Sequence, residues 1–459
     1  MLLLSPPQDR DYYISVQPPL GILYLASYLR ERHVPVRIMD LKVIPKWRRM
    51  IEETLVEFSP EVIGISANVY NRNSALELAR VLRELAPASI IIAGGPQATS
   101  CPDDFRKGDF DFILPYEGER TLHEFATSAD PNTCPGIIPC AAADFSERFA
   151  SLKADPIQEL DDLPFPAYDL LDLRRYHVNS YKKKPIVSII TSRGCPARCI
   201  FCSLDVMGKV WRPRSPENVV AEMLWLQNEL GVREISIEDD NFTLDLNRVS
   251  EICRLMREKG VRLHWQLANG IRADRVTRDL LEQMRDAGCW KLAIAPEVGD
   301  DASRKLIRKG IASERFREVA GWCRELGIVY YGFFMMGFPF ETREMAQKTI
   351  DFAMELDPLF MDLSKLLPFK GTAAYGMYSL DQQKEHEKKP HYYLNQLNED
   401  WVDQMYARAY WKFYMRPRKI IEIIRAIGLR SFLRLVRYGF DMLVLPNLVR
   451  GRSDDAASR

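Results

Sequence analysis

The sequence predicts an α/β protein in three parts: a doubly wound parallel sheet, a partial barrel of six β/α units, and a helical C-terminal region. Three observations carry this reading. Short apolar strands alternate with helical patterns over most of the chain, the order that builds parallel sheets. One stretch without sustained periodicity, from Cys134 to about Lys184, divides that alternation in two. Glycines and acids gather where the strands end, which is where parallel sheets bind ligands. The length of 459 residues suits about three domains at roughly 150 residues each. A content of 47% hydrophobic and 27% charged residues supplies ample core.

In the first part, residues 1–140, strands are expected at Leu2–Leu4, Val34–Met39, Val62–Ser66, Ile90–Ala93 and Phe110–Leu114, with helices over Leu20–Leu29 and Ala75–Leu85. Ser66, Gly94, Gly95 and Gly118 stand at strand ends, where small residues let backbone approach a flat ligand closely. The apolar start, Met1 to Pro7, is too short for a signal sequence and lacks a basic region, so it reads as a first buried strand. The connector, residues 141–184, contains Asp161–Leu171, whose two prolines and flanking acids dictate extended chain.

The second part, residues 185–375, repeats strand and helix. Strands are expected at Pro185–Ile190, Glu234–Glu238, Arg262–Leu267, Lys291–Ala295, Val329–Met336 and Met361–Leu367, with helices at Val219–Leu230 and Leu280–Ala287. Parallel units of this number suggest a partial barrel whose chemistry sits at the carboxyl ends of the strands. Polar residues collect there: Glu238–Thr243, Asn269–Asp274, Pro296–Gly299, Gly337–Pro339 and Pro368–Thr372. Any one of these acids alone is an ordinary solvated loop charge. Their recurrence at successive strand ends favours a site.

The first strand of this part runs into Cys195-Pro-Ala-Arg-Cys199-Ile-Phe-Cys202. Gly194 and Pro196 disfavour a regular helix, so three thiols lie on one loop leaving a strand. Thiolates select zinc, copper(I) or iron–sulfur clusters. Structural zinc takes four ligands, usually in two spaced pairs, whereas this loop offers three and no His. A cubane held by three thiolates keeps one iron open to a ligand. A zinc loop and three unrelated thiols are the competing readings. The other six cysteines, at 101, 134, 140, 253, 289 and 323, have no framework spacing, and most of them read as small core residues. An odd total without a signal peptide points to a reducing cytoplasm. Lys+Arg and Asp+Glu both number 63, a balance that argues against a general nucleic-acid binder. No window of about 20 apolar residues is present to span a membrane.

The C-x3-C-x2-C loop resembles the signature of the radical S-adenosylmethionine (SAM) superfamily. That resemblance implies a [4Fe–4S] cluster on Cys195, Cys199 and Cys202, with SAM chelating the fourth iron and Phe201 packing near the adenine. It implies cleavage of SAM to a 5′-deoxyadenosyl radical that abstracts hydrogen from carbon, fed by an external electron donor such as flavodoxin or ferredoxin. Glu297 matches the family's acid near the SAM ribose, and Asp239 and Asp240 match its D-D-N-F turn near SAM or substrate. The chain departs from the family at Gly299-Asp300 and at Lys370. The first part resembles the Rossmann-like cobalamin-binding domain that precedes many radical SAM domains of partial (β/α)6 TIM type. The matching pieces are Pro18–Ala26, Gly64–Ser66, Gly94–Gln97 and Glu117–Glu119. They imply cobalamin contacts at Leu20, Gly21, Ser66, Gly94, Gly95, Gln97, Glu117 and Gly118. The D-x-H-x-x-G motif that supplies a lower His to cobalt is absent, Gln97 stands where many relatives carry His, and His33 reads as a surface or cap residue. Cobalamin is therefore expected without a protein His on cobalt. The Asp161–Leu171 segment resembles the connector of the same family.

In the C-terminal part, residues 376–459, a helix is expected over Tyr406–Tyr414. Ile420, Ile424 and Ile427 mark one apolar stripe, and Phe432, Leu435, Val436, Met442 and Leu443 another, opposite Arg430, Arg434 and Arg437. This pattern suits a helical cap on the core or an amphipathic helix in peripheral contact with anionic lipid. The resemblance implies hydrogen abstraction followed by methyl transfer to carbon on a small-molecule or lipid substrate. Radical cyclisation, ring contraction or carbon–carbon bond formation on a terpenoid or tetrapyrrole is the alternative, and a non-catalytic Fe–S redox sensor is the reading from another class. The expected location is the cytoplasm, or the inner face of the membrane if the lipid contact holds.

Overall fold

The computed structural model describes residues 1–8, 15–106, 108–178, 180–383, 399–429, 432–433 and 435–436. The first sheet holds β1 (Leu2–Ser5), β2 (Arg37–Asp40), β3 (Val62–Ser66), β4 (Ile90–Gly94), β5 (Phe112–Ile113) and β6 (Ile138–Pro139) in the order β2-β1-β3-β4-β5-β6. The first five strands are parallel and β6 is antiparallel to β5. The alternating apolar residues of these strands feed two cores: Leu2, Leu4, Ile63 and Ile65 face one, and Leu3, Ile92 and Phe112 the other. Both faces are covered, as a parallel sheet requires. The strand order reverses between β1 and β3, which opens a crevice at their carboxyl ends.

Three local expectations are revised. The strand expected at Val34–Met39 begins at Arg37, because the Val34 N–H bonds to Leu29 O at 3.0 Å and closes helix Leu20–Glu31. His33 sits at that helix end with φ of 60° and is exposed, a cap residue. Phe110–Leu114 yields only a two-residue strand. The stretch without periodicity carries β6 and helix Phe145–Ser151, and it places Cys140 and Phe145 in the first core. Beyond it, three 3₁₀ turns at Leu160–Asp162, Tyr168–Leu170 and Leu173–Arg175 follow the proline-rich segment. This connector is packed rather than free. Tyr168 is fully buried with its hydroxyl donating to Ser188 O, and the Tyr176 hydroxyl donates to Asp40 at 3.1 Å.

The second sheet holds β7 (Ile186–Ile189), β10 (Glu234–Ile237), β11 (His264–Ile271), β12 (Cys289–Glu297), β13 (Val329–Met336) and β14 (Phe360–Lys365). All neighbours are parallel, in the order β14-β13-β12-β11-β10-β7. Successive strands thus lie side by side, and the sheet curls into a partial barrel with β7 and β14 as its edges. Two short strands, β8 (Ser192–Arg193) and β9 (Arg212–Pro213), pair antiparallel above β7. Cys253, Cys289 and Cys323 are buried in the barrel's outer core, as small hydrophobic residues. Helix Leu20–Glu31 serves both units: Leu23 packs in the barrel core, and Ile22 and Ala26 in the first domain's.

Helix Glu399–Tyr414 packs Val402, Ala409 and Phe413 into the barrel core. Helix Pro417–Ile427 follows, with Ile423 at its buried face and Ile420, Ile424 and Ile427 half-buried beside it. The Lys419 ammonium is buried against Asp357, Glu422 and Pro358 O at 2.9–3.0 Å. These described residues cap the core. Arg430, Arg434, Arg437, Met442 and Leu443 lie outside the described residues. No described helix is long and apolar enough to cross a membrane.

Candidate active site

The cysteine loop is a pinched loop whose neck is β8 and β9. Arg193 and Arg212 face each other across that ladder. Gly194 opens the loop with φ of +83°, and a Cβ there would sit 2.3 Å from Val210 O. Only glycine fits such a position. The Gly194 N–H donates to Asp240 at 3.1 Å. Asp239 is buried, and its two oxygens accept from the Thr191 N–H, the Thr191 hydroxyl and the Ser192 hydroxyl, each at 2.6 Å. Both acids of the D-D-N-F turn therefore hold the loop's root to the end of β10. Arg248 bonds the carbonyls of Thr191 and Arg214 at 2.7 and 2.8 Å from the other side.

Cys195 is buried, Cys199 half-buried and Cys202 at the exposed rim. Asn241, itself buried, points its amide N–H at the Cys195 sulfur at 3.9 Å, and its carbonyl oxygen has no partner among the described residues. Burial pushes the Cys199 thiol up; Lys309 and Arg272 pull it down, and Glu297 adds to the rise. Glu297 ends β12 in a left-handed conformation, φ 66°, and accepts from Lys309 at 2.7 Å. Phe201 packs edge-on to Phe338, 6.1 Å between centroids, in a small cluster with Ile200, Val298 and Ile307. Of the expected SAM residues, Phe201 and Glu297 thus gather beside the thiols, while the Asp239 and Asp240 carboxylates hold the root of the loop. Sequence reading did not single out Asn241, Arg272 or Lys309. Asn241, after the paired acids, and Arg272, within Asn269–Asp274, lay in the polar strand-end segments, whereas Lys309 carried no signal.

Inside the barrel, β13 buries Tyr330, Phe334 and Met336 against the helices, while Tyr331, Phe333 and Met335 on the opposite face are only half-buried. The barrel's inner face is thus apolar and open to water along β13. Across from it, Gly270 brings β11 close to β12: a Cβ there would meet Ala295 Cβ at 2.6 Å. The amino ends of the strands are closed by buried polar groups. Glu234 accepts from the N–H groups of Lys182 and Lys183, from the Trp290 indole and from Gln266, and Lys291 donates to Ser180 at 2.7 Å. Burial lowers the Lys291 ammonium to about 8, with Glu234 and Glu238 opposing. Burial raises the Asp362 carboxyl against its Ser364 hydrogen bond, and nearby Glu297 adds to the rise. The barrel therefore opens at its carboxyl end, toward the thiols and the first domain.

The first domain meets that end. Gln17 donates to Glu238 at 2.9 Å, the Tyr24 hydroxyl reaches Ile190 O at 3.5 Å, and the Ser100 hydroxyl donates to Asp205 at 3.3 Å. Glu117 accepts from Arg193 at 2.9 Å and from both terminal nitrogens of Arg212, and Glu119 accepts from Arg193 at 2.7 Å. Burial works against the Arg193 charge, but Glu119 and Glu117 outweigh it and hold the guanidinium above its ordinary range. Among the expected cobalamin contacts, Gly21 has nothing within 4 Å of a would-be Cβ and Gly94 only Leu114 O at 3.7 Å. Gly95 is needed by the protein's own packing, with Ala67 O at 2.7 Å and the Ser66 hydroxyl at 2.8 Å from a Cβ, and Gly118 by Leu114 at 2.7 Å. Leu20 packs against the barrel core. The Gln97 amide donates to Asp104 at 2.6 Å.

No three Cys, His, Asp or Glu side chains among the described residues close on a single-ion cage. Zinc needs such a cage; a cubane places each thiolate on a different iron and needs them further apart. Three thiols with an amide donor and a spare buried oxygen beside them fit a cluster and a ligand on it. The open space at Gly21, in the helix after β1, and at Gly94, at the end of β4, fits a flat cofactor beyond the carboxyl ends of the strands.

Comparison with known proteins agrees. A model of the radical SAM superfamily matches residues 189–353, and a model of the B12 binding domain matches residues 14–126. An uncharacterized methyltransferase of Pyrococcus horikoshii is 28% identical over 92% of this chain and 94% of its own length. An anaerobic magnesium-protoporphyrin IX monomethyl ester cyclase of Synechocystis is 27% identical over 91% of this chain and 83% of its own. Among solved structures, the cobalamin-dependent radical SAM enzyme OxsB, with aqua-cobalamin and SAM bound, has the same fold at TM-score 0.69 and 17% identity, covering 100% of this chain and 80% of that one. Fold, loop and both domain matches make this chain a radical SAM enzyme with an N-terminal B12 binding domain. Its cofactors are a [4Fe–4S] cluster, SAM and cobalamin.

Proposed function

We propose that this protein is a cobalamin-dependent C-methyltransferase acting on an organic small molecule held in the barrel. The observation that carries the reading is the meeting of two strand-end faces: the carboxyl end of the first sheet lies against the cysteine loop and the open end of the barrel. The full-length likeness to a methyltransferase supports it. When bound, the cluster with SAM supplies a radical that removes hydrogen from carbon, and cobalamin supplies the methyl group. The chain's own residues hold and orient. Cys195, Cys199 and Cys202 hold the cluster, and Asn241 directs an N–H at one sulfur. Glu297, its carboxylate fixed by Lys309, would accept the SAM ribose hydroxyls, and Phe201 would pack against the adenine. Tyr331, Phe333 and Met335 form the apolar wall for the substrate, and the floor at Glu234 and Lys291 keeps bulk water out from below. An external reductant would deliver the electrons, both for SAM cleavage and for restoring cobalamin after methyl transfer.

Anaerobically reconstituted protein should carry about four irons at this loop, form 5′-deoxyadenosine under reduction, and pass label from methyl-labelled SAM into product. Replacing any of the three cysteines with alanine should abolish both iron and 5′-deoxyadenosine. A triple alanine variant that still cleaves SAM would sink the assignment. The cyclase relative favours a second reading, a ring-forming reaction. A product formed without label transfer would select it.

A further inference from the structure

Glu117, Gly118 and Glu119 follow β5 in the first domain, while Arg193 and Arg212 stand opposite one another at the neck of the cysteine loop. The four charged side chains are only 3–5% exposed. Two positive and two negative charges cancel. Buried ion pairs stabilise little against apolar packing, but removing one partner leaves an uncompensated charge, so they fix geometry where they occur. Both ends of the loop are held at once, because Arg193 leads into it and Arg212 leads out. The same carboxylate also draws in the connector: Glu117 accepts the Ile157 N–H at 3.2 Å, and Arg212 donates to Ile157 O.

The first-domain side is equally fixed. Tyr116, with φ of 62°, donates its N–H to the Thr99 hydroxyl at 2.8 Å. Thr99 belongs to helix Pro96–Ser100, which starts directly after Gly95, and Ser100 makes its own bond to Asp205 in the cysteine loop. The strand-end loops of β4 and β5 therefore border the crevice on one side and grip the cysteine loop on the other.

We propose that Glu117 and Glu119 are positioning residues that register the cysteine loop on the first domain, so that cobalamin in that domain orders the loop. The Glu117 carboxylate, on a residue expected from the family resemblance to touch cobalamin, pairs with the two arginines. The proposal rests on cobalamin occupying the first domain, and metal analysis tests that separately.

The test is hydrogen exchange of peptides spanning 192–213 in the anaerobic, cluster-loaded protein, with and without hydroxocobalamin, alongside cobalt and iron contents. In the wild type, hydroxocobalamin should slow exchange on the order of tenfold, the size of an ordinary coupling between sites. Glu117→Gln should keep cobalt but lose the slowing. Glu117→Gln combined with Arg212→Gln, neutral again, should recover it, a rescue that mere loss of packing would not show. If Glu117→Gln fails to fold, Glu119→Gln, which removes the charge from a single ion pair, should lose part of the slowing. No slowing in the wild type overturns the proposal. Equal slowing in the wild type and in the folded variant overturns it too, because cobalamin would then be covering the loop directly. A wild type that takes up no cobalt removes the cofactor reading and the proposal together, and cobalt analysis identifies that case.

Discussion

At the scale of single residues, the turn after β13 stores a pH dependence. Glu341 is buried, and its carboxylate accepts from the N–H groups of Gly337 and Phe338. Burial raises its pKa to about 7, although those two bonds pull the other way. Between its ordinary value near 4.5 and about 7, the folded chain holds a proton that the unfolded chain has released. Stability then falls as pH rises through that window and levels off above it. Glu341→Gln keeps an acceptor for the turn and removes the titration. Its melting temperature relative to wild type should therefore be higher at pH 8 than at pH 5. Parallel melting curves at the two pH values would show the carboxyl to be ionised in both states. Residue identities at the site were partly legible in the sequence. The three cysteines were, because spacing within one loop is local. The partners of Glu117 were not, because they lie 76 and 95 positions away in the chain and only the fold brings them together.

At the scale of elements, the strands of both sheets were legible because parallel strands buried on both faces read as short apolar runs. The two-residue strands β6, β8 and β9 were not, being too short to show a period. Helix Glu399–Tyr414 illustrates the division. Its Tyr406, Tyr410 and Tyr414 recur every four residues, so a common face was readable, yet nothing in the sequence says what that face covers. It covers the open edge of β14. Tyr410 accepts the Leu363 N–H at 3.1 Å, and Tyr414 accepts the Met361 N–H at 2.9 Å and donates to Met361 O at 2.8 Å. Tyrosine hydroxyls thus stand where a seventh strand would, satisfying an edge that otherwise invites pairing with another chain. Tyr414→Phe leaves two buried backbone groups unpaired, at a cost of about 1–3 kcal/mol each. The variant should melt lower and exchange the Met361 amide faster. An unchanged amide would mean that water replaces the hydroxyl.

At the scale of the whole molecule, the two strand-end faces determine the form of the cobalt cofactor. The strand-end segments 67–71, 95–101 and 114–118 contain no histidine, and His33 caps a helix. The reduced, EPR-active cobalt(II) form of the bound cofactor should therefore show no nitrogen splitting from a protein imidazole. Such a splitting, lost on changing one of the six histidines, would refute this. The helical C-terminus reaches the same body through Arg416 and Lys419, both on Asp357.

Helix Leu20–Glu31 has a further consequence. One of its faces completes the first core and the other completes the barrel, while its Tyr24 ring lies under Arg193, 5.0 Å from the guanidinium. Neither half owns it. As a unit of inheritance the pair is indivisible at the point where a sequence comparison would cut it: a gene fusion or exchange that brought a new barrel to this first domain would strip a shared wall from both. On the proposed function, a change of substrate then falls to the barrel's inner wall in place rather than to a trade of halves.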